Sequence, residues 1–307
     1  MTAAHDDAPV LKLTGGNGDE IVLTGYGNGF GAADKTNGIF GTPTPTVRQL
    51  AGAGDGATWG GTIRGPRAVD IGVSVYSDTA AEQRVKLARL GDLLDDTHGP
   101  TRLTVTCPER GTDAARWIDL HYTGGFEGDT SDSQPGFLQI PLSFVGLDPY
   151  FRAATPVTVT WRTGGELQPF LSATSPFLPI KLAPSQVLGQ VQLVNPGDVA
   201  SYAVWRILGP GGPITANPAT GRGWTIDTVI EAQDVLFVDG QSDRPLTTYE
   251  LDDAGNSVEV DAYDLFGPAP RLWLIPPGDS TAGVAVVGAT ADTEVLLQFW
   301  PRYKLGA

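Results

Sequence analysis

Glycine and proline interrupt the apolar runs of this chain from one end to the other. The 307 residues include 40 glycines and 24 prolines, and their irregular spacing excludes a collagen-like triple helix. Short stretches of alternating apolar and polar residues lie between them, which is the pattern of β-strands joined by turns. We therefore expect a mainly β protein.

The length predicts two domains, because single domains usually hold about 100–200 residues. Half of this chain is long enough to bury a core of ordinary size. The strand pattern breaks at the sequence DPYF, residues 148–151. We therefore place an N-terminal domain at residues 1–153 and a C-terminal domain at residues 154–307.

The first domain is expected to be a β-sandwich-like fold with one helix and an extended arm. Alternating runs predict strands at 9–13, 20–24, 68–75, 102–107, 115–122 and 137–147. Residues 124–136 are polar and rich in Gly and Ser, which is typical of a loop. Residues 25–62 are loose and rich in glycine, and a loop of this length is unusual inside a compact domain. We interpret them as an arm with a hairpin near Val47–Leu50.

A helix is predicted from residue 79 to residue 95. Thr79 and Glu82 have the spacing of a capping box, with Thr79 as N-cap. The Gly99-Pro100 pair ends the helical pattern. An apolar stripe is expected to pack the helix on a sheet, and it consists of Ala81, Val85, Ala88, Leu87, Leu90 and Leu94.

The second domain is predicted to be a helix-free β-sandwich. Strong turn signals such as NPGD at 195–198 and PPGD at 276–279 separate its apolar runs. About twelve short strands at this spacing are typical of two packed antiparallel sheets. The predicted strands are 157–162, 179–182, 190–194, 203–207, 224–226, 229–232, 235–238, 247–251, 258–260, 271–275, 282–287 and 293–303.

Candidate catalytic and metal-ligating side chains are scattered along the chain. Cys107 is the single cysteine, so an intrachain disulfide and a thiolate cluster are excluded, and its apolar surroundings favour a buried thiol. The three histidines, His5, His98 and His121, lack the spacing of metal ligands. They also lack a nucleophile elbow of the Gly-x-Ser-x-Gly type with which to form a triad.

Paired carboxylates could serve glycoside hydrolysis if they faced each other across a cleft. The pairs available are Asp95-Asp96, Asp252-Asp253 and Asp261 with Asp264. All lie in turn-like contexts, where charged residues are normally solvated. The sequence 252–256, with Glu259 nearby, lacks the ligand spacing of a calcium loop, and 25–30 lacks the lysine and helix of a phosphate loop. We predict no catalytic, cofactor-binding or metal site and no cofactor.

Five tryptophans lie in the second domain, and exposed ones could stack on sugars. They are Trp161, Trp205, Trp224, Trp273 and Trp300. Most fall within alternating strands, where burial in the core is the usual role. An aromatic side chain exposed beside Asn, Asp or Arg on a concave sheet would favour a carbohydrate-binding module instead.

The net charge is −15, and it divides evenly between the halves. Residues 1–153 carry 19 acids and 12 bases, and residues 154–307 carry 16 and 8. No basic stripe is present, so nucleic-acid binding is not expected. The first ten residues lack the basic and apolar regions of a signal peptide, and no apolar run is long enough for a membrane span. We expect folding in a cytoplasm.

An ordered series of motifs resembles the siphophage distal tail protein family. The central one is LVNPGDVASYAVWRILGPG at 193–211. It is followed by NPATG at 217–221, DVLFVDG at 234–240 and PPG at 276–278. In the first half, 65–75 with the following helix and PLSFVGLDPYF at 141–151 fit the same series. The resemblance covers most of the chain.

The resemblance implies a structural virion protein of the tail tip of a long-tailed bacteriophage, without enzymatic activity. It implies a homohexameric ring formed by the N-terminal (belt) domain and a galectin-like C-terminal β-sandwich. Such a ring joins the tail tube protein to the tail-associated central fibre protein and, in some phages, to receptor-binding proteins for host adsorption. DNA passes through the channel without specific binding, and assembly takes place in the host cytoplasm.

The residues leave two further points open. Acidic side chains lining such a channel would repel the phosphates of passing DNA, and the −7 charge of residues 1–153 is compatible with that hypothesis. The alternative function is a carbohydrate-binding module protein without catalysis.

Overall fold

The computed structural model describes residues 8–25, 28–52, 55–110, 115–127, 136–162, 187–232, 234–240, 247–251, 257–261 and 263–306. The chain divides into two compact units, one comprising Met1–Thr155 with Arg302–Ala307 and the other Pro156–Pro301. The predicted mainly β architecture is confirmed. No helix within the described ranges is long and apolar enough to span a membrane.

The first unit is built on one large antiparallel sheet. Seven strands follow the order β2-β1-β7-β8-β9-β6-β3, and β10 and β23 join it beside β8. A further pair, β4 and β5, forms a sheet of its own. The strands are β1 (Val10–Thr14), β2 (Glu20–Val22), β3 (Phe30–Asn37), β4 (Pro45–Ala51), β5 (Ala57–Arg64), β6 (Arg67–Ser77), β7 (Thr101–Thr106), β8 (Ala115–Gly124), β9 (Gly136–Gly146), β10 (Phe151–Ala153) and β23 (Arg302–Tyr303).

The helix α1 (Ala80–Leu93) begins where the capping pattern predicted. The Thr79 hydroxyl accepts a hydrogen bond from the Glu82 amide at 3.2 Å. The Glu82 carboxylate reaches back one residue further than a capping box requires and accepts from the Asp78 amide. Two short 3-10 turns follow the helix and β7, at Asp96–His98 and Pro108–Arg110.

The predicted apolar stripe of α1 was wrong in part. Ala81, Val85 and Ala88 are exposed. The face that packs on the sheet carries Leu90, Leu93 and Leu94, with Leu87 partly buried beside them. Gln83 lies one turn before Leu87 and is also buried. Because the polar residue Gln83 occupies a core position, the spacing of apolar residues does not identify the buried face of the helix.

Residues 25–62 are more regular than predicted. Residues 30–37 form β3, which pairs with β6 and contributes the buried side chain of Phe30 to the core. The predicted hairpin near Val47–Leu50 extends through β4 and β5, and we call residues 45–64 the hairpin. The polar loop predicted at 124–136 lies mostly outside the described residues.

The C-terminal limit of the second domain also needs correction. The predicted C-terminal domain, residues 154–307, includes residues 302–306, but the structure places them in the first unit. There β23 pairs with β10, and the Arg302 guanidinium donates to the Asp148 carboxylate at 2.6 Å. The Arg67 guanidinium also donates to the Lys304 carbonyl. These bonds explain why the chain returns to the first unit at its end.

The second unit is a β-sandwich. A six-stranded sheet has the order β11-β22-β14-β17-β18-β19, and a four-stranded sheet has the order β12-β21-β15-β16. Their strands, with the small β13–β20 pair, are β11 (Val157–Arg162), β12 (Val187–Asn195), β13 (Ser201–Tyr202), β14 (Val204–Leu208), β15 (Ile214–Pro218), β16 (Trp224–Ile226), β17 (Val235–Asp239), β18 (Thr247–Leu251), β19 (Ser257–Asp261), β20 (Leu274–Ile275), β21 (Gly278–Val286) and β22 (Glu294–Phe299).

Most predicted strands of this unit are present, with several differences. The strand predicted at 293–303 is β22, which ends at Phe299, and Arg302–Tyr303 form β23 in the first unit. Residues 229–232 make only one bridge, from Ile230 to Gly211, and of 271–275 only the last two residues are in a strand. Strand β15 was not predicted, since its sequence ITANP has little apolar alternation. The prediction at 179–182 lies outside the described residues. A single 3-10 turn, Tyr263–Leu265, is the helical element of this unit within the described ranges.

Candidate assembly interface

The hairpin stands apart from the sheets of the first unit. Within the described strands, β4 and β5 pair only with each other. Both outer edges of this ribbon therefore keep backbone N–H and C=O groups without a β-partner in the described part of the chain. An isolated two-stranded ribbon is marginally stable in water, and free strand edges favour pairing with another chain.

The hairpin also exposes large apolar side chains. Trp59 is 70% exposed and Leu50 is 58% exposed. Val47 and Ile63 are also exposed. Single exposed apolar residues are common on protein surfaces, but a cluster on one element indicates an interaction surface.

Strand pairing brings two of these side chains, Trp59 and Val47, to one face. Trp59 lies opposite Gln49, and Val47 lies two residues before Gln49 on the same strand. Side chains two residues apart share a face of a strand. These residues line a groove of about 590 Å³ on the hairpin. The groove is therefore walled by the indole of Trp59 and by the Val47 side chain.

A β-bulge sets this face. Between the pairs Val47–Thr62 and Gln49–Trp59, β4 advances two residues and β5 advances three. Gly61 lies in the bulge with φ +107°, a conformation that favours glycine. The extra residue turns Trp59 onto the face of Gln49.

The base of the hairpin is fixed by a buried arginine. The Arg67 guanidinium donates to the carbonyls of Gly38, Gly41 and Pro149, the last at 2.7 Å. Burial lowers the pKa of Arg67 to about 10, and at neutral pH the group remains charged. Hydrogen bonds of Arg67 thus fix the chain on both sides of the hairpin, at residues 38–41 before it and at residue 67 after it.

His121, Asp95 and Asp96, which were considered as catalytic groups, make local structural hydrogen bonds. His121 on β8 lies 3.2 Å from the Asp96 carboxylate, and His98 ends the 3-10 turn that Asp95 caps. Hydrogen bonds from the Thr97 amide and hydroxyl lower the pKa of Asp95. Asp264 is exposed in the 263–265 turn. His5, Asp252 and Asp253 lie outside the described residues, as does the side chain of Asp261.

Cys107 is buried in the core of the first unit, and burial raises the pKa of its thiol. Among the described residues, no three His, Cys, Asp or Glu side chains come together as a metal site would require. Residues 28–30, from the sequence compared with a phosphate loop, form the turn into β3, with the Asn28 side chain accepting from the Phe30 amide.

The tryptophans of the second unit form its core. Trp161, Trp205 and Trp224 are almost fully buried. The Trp161 and Trp205 rings stack at 5.8 Å, and Trp224 meets Trp205 edge-on at 5.6 Å. Trp273 packs against Trp205 at 5.5 Å and is partly buried, as is Trp300. None of the three buried rings offers a platform for a sugar.

The NPGD motif that carried much of the resemblance has a structural role. Asn195 is buried, and its amide nitrogen donates to the Ile275 carbonyl at 2.9 Å. Its amide oxygen accepts from the Gly197 backbone at 2.9 Å. The side chain therefore ties the turn after β12 to β20.

Known proteins match this chain in fold but not in sequence. No family model matches the sequence, and no curated protein sequence matches it. Solved structures do match. The Dit protein of phage SPP1, described as a paradigm of the hub adsorption apparatus of phages that infect Gram-positive bacteria, superposes with a TM-score of 0.58 at 15% identity, over 94% of this chain and 98% of that one.

The chain has the fold of a distal tail hub protein. A chain from the baseplate of phage P2 in its activated conformation with Ca gives a TM-score of 0.57 at 8% identity, over 97% and 99% of the two chains. One from the same baseplate in its activated conformation with Sr gives 0.51 at 10% identity, over 95% and 98%. The resemblance predicted from the motif series is confirmed at the level of fold.

Proposed function

We propose that this chain is a structural protein of a phage tail tip and works by assembly. The observation that carries the proposal is a match of fold over nearly the whole of this chain and of a phage hub protein. One fold can host many functions, so the proposal also needs support from a physical feature of this chain. The exposed apolar hairpin provides that support.

In the proposed assembly the hairpin contacts a neighbouring copy of the chain. Its apolar groove and free strand edges would be covered by that copy, which would remove the exposed indole of Trp59 from water. A ring is the closed form of such a head-to-tail contact, in which one surface binds a different surface of the next copy. We propose a homohexamer formed by the first unit, as in the family that the sequence resembles.

The proposed ring joins the tail tube to the tail-associated central fibre protein and, through it or directly, to receptor-binding proteins. No catalytic step is required in this role. The protein would be located in the tail tip of the virion after assembly in the host cytoplasm. The sandwich of the second unit would then be available for contacts outside the ring.

The charge of the chain supports a channel that DNA can cross. Residues 1–153 contribute a net charge of −7, from 19 acids and 12 bases. Carboxylates facing the channel would repel phosphate and prevent adhesion of the passing DNA. A structure of the ring with a channel lined mainly by Arg and Lys would contradict this part of the proposal.

The direct test is negative-stain electron microscopy of the purified full chain, with native mass spectrometry of the same sample. The proposal predicts rings with a central opening and a mass of six chains. A second sample with purified tail tube protein added should show the rings stacked on tube ends. Monomers in both samples would overturn the proposal.

A further inference from the structure

The outer face of the four-stranded sheet in the second unit carries a depression. The inward side chains of the sheet, among them Leu193, Ala216 and Val284, belong to the core. The outward side chains lie over the depression, which is made of two cavities of about 220 and 610 Å³. Asn217 borders both, so the two are adjacent.

The smaller cavity is a trough that forms because a glycine, which has no side chain, lies at the centre of the sheet. Gly283 on β21 pairs with Gln190 on one side and with Asn217 on the other. A Cβ at position 283 would meet the Gln190 Cγ at 3.5 Å, which is ordinary van der Waals contact. The glycine is thus not required by close packing, and its effect is to keep the trough open.

The larger cavity is produced by an irregular edge beside β16. The Gly267 amide donates to the Thr225 carbonyl at 2.8 Å, and the Arg271 amide donates to the Gly223 carbonyl at 3.0 Å. One residue lies between the two acceptors and three lie between the two donors, so residues 268–270 loop out and line the cavity. Ala269 there has φ 56°, although a proline follows it. Strained backbone of this kind is concentrated at functional sites.

The polar side chains around the depression are hydrogen-bonding groups of low total charge, and prolines and small apolar residues line the rest of it. The polar groups comprise the amides of Gln190 and Asn217, the hydroxyls of Thr215 and Thr225, the Arg222 guanidinium and the Asp227 carboxylate. The Asn217 amide oxygen accepts from the Gly223 backbone at 3.1 Å, which leaves its NH₂ group as a donor. Arg222 and Asp227 are exposed, and neither has an ion-pair partner among the described residues.

We infer that this depression, bordered by Gln190, Asn217, Arg222, Asp227 and the 268–270 loop, binds a carbohydrate. Each sugar hydroxyl both donates and accepts, which suits a mixture of amides, hydroxyls, one carboxylate and one guanidinium. A nucleic acid would require a basic surface, and a purely hydrophobic ligand would leave these amides, hydroxyls and charges without hydrogen-bond partners. Trp224 is 2% exposed, so recognition rests on hydrogen bonds instead of stacking.

This inference goes beyond the proposed assembly role and does not depend on it. The probe is a printed array of bacterial and animal oligosaccharides, incubated with labelled full-length chain. The best-binding sugar is then titrated by saturation-transfer difference NMR. We expect binding in the millimolar to micromolar range that Arg222→Ala and Asp227→Asn each weaken about tenfold or more, since both remove a charged hydrogen bond.

The sharpest variant is Gly283→Val, which fills the trough with a residue suited to a strand. Its matched control is Thr281→Val, on the same strand and face but outside the lining of both cavities. Gly283→Val should abolish binding, and Thr281→Val should bind like the wild type. If Gly283→Val does not fold, the two exposed variants Arg222→Ala and Asp227→Asn decide the matter.

Two results would overturn the inference: an array on which no sugar binds the wild type above the Gly283→Val background, and sugar binding that neither Gly283→Val, Arg222→Ala nor Asp227→Asn changes. Retention of a tail protein on this face, with no sugar bound, would identify a protein interface instead. None of these results would bear on ring formation, because sugar binding is measured on the chain whether or not it assembles.

Discussion

Two tryptophans on β-strands have opposite fates in this molecule. Trp205 on β14 is 1% exposed, whereas Trp59 on β5 is 70% exposed. Trp205 lies inside a six-stranded sheet, with Trp161 stacked on one side and Trp224 edge-on. Trp59 lies in a two-stranded ribbon that pairs with no other strand among the described residues. The comparison teaches that a strand tryptophan is buried by its neighbours, and that a ribbon without such neighbours needs a partner.

The largest effect is expected from Trp205→Ala. The substitution removes the central ring of the tryptophan cluster and should destabilise the second unit by about 3–5 kcal/mol. Trp59→Ala is the matched control and should change the free energy of unfolding of the unassembled chain by less than about 0.5 kcal/mol. Urea unfolding followed by hydrogen exchange of peptides from each unit measures both. Equal losses for the two variants would remove the contrast.

The next effect tests the fixed base of the hairpin. Arg67→Met leaves the carbonyls of Gly38, Gly41, Pro149 and Lys304 without their donor. We expect a loss of about 3 kcal/mol in the first unit and faster hydrogen exchange in residues 38–64. Arg84→Met, on the exposed face of α1, is the control and should stay within about 0.5 kcal/mol of the wild type. An unchanged exchange rate in 38–64 for Arg67→Met would show that the base is held otherwise.

A smaller gain in stability is expected at Gln83. Its side chain is 1% exposed, and neither amide atom has a hydrogen-bond partner among the described residues. Gln83→Met keeps the volume and removes the unpaired polar atoms, so it should raise the free energy of unfolding of the first unit by about 1 kcal/mol. Gln139→Met on the exposed face of β9 should have little effect. A loss of stability in Gln83→Met would mean that the amide has a partner.

The smallest effect concerns pH. The Asp19 carboxylate receives two hydrogen bonds of 2.7 Å from the Arg89 guanidinium, which lowers the pKa of Asp19 below its ordinary value of 3.8. A carboxyl with a lowered folded pKa adds stability above its unfolded pKa and loses it as the pH falls through the folded pKa.

Because this ion pair is partly exposed, its contribution should be about 0.5 kcal/mol. Thermal unfolding of the first unit at pH 6 and pH 3 measures it. The wild type should lose about that much more than Asp19→Asn over this interval, and Asp92→Asn should follow the wild type. Identical pH profiles for the wild type and Asp19→Asn would exclude the ion pair as a source of stability.

Much of the architecture could be predicted because local signals and packing agree. The cap at Thr79, the strand at 68–75 and the turn at 195–198 all appear where the residues indicated. The stripe on α1 could not be found from apolar spacing, because the sheet covers Gln83 while Val85 remains exposed. The return of residues 302–306 to the first unit depends on contacts with residues more than 140 positions away, such as Asp148.

The candidate surfaces were harder to predict than the fold. Trp59 lies in the glycine-rich segment that was interpreted as an arm, and only the pairing of β4 and β5 with each other alone among the described strands shows that its side chain is uncovered. The depression around Gly283 depends on cross-strand pairing that no local pattern displays. The residues that meet on the outer face of a sheet can therefore be identified only from the pairing register of its strands.

Sedimentation velocity tests most directly whether the hairpin is an assembly surface. Wild type, Trp59→Lys and Val229→Lys are compared at one concentration, where Val229 is an exposed apolar residue of the second unit. A charge in the groove would be buried without a partner in the assembly. The account predicts a ring-sized species for the wild type and for Val229→Lys, and monomers for Trp59→Lys. Rings of unchanged size and abundance in Trp59→Lys would contradict it.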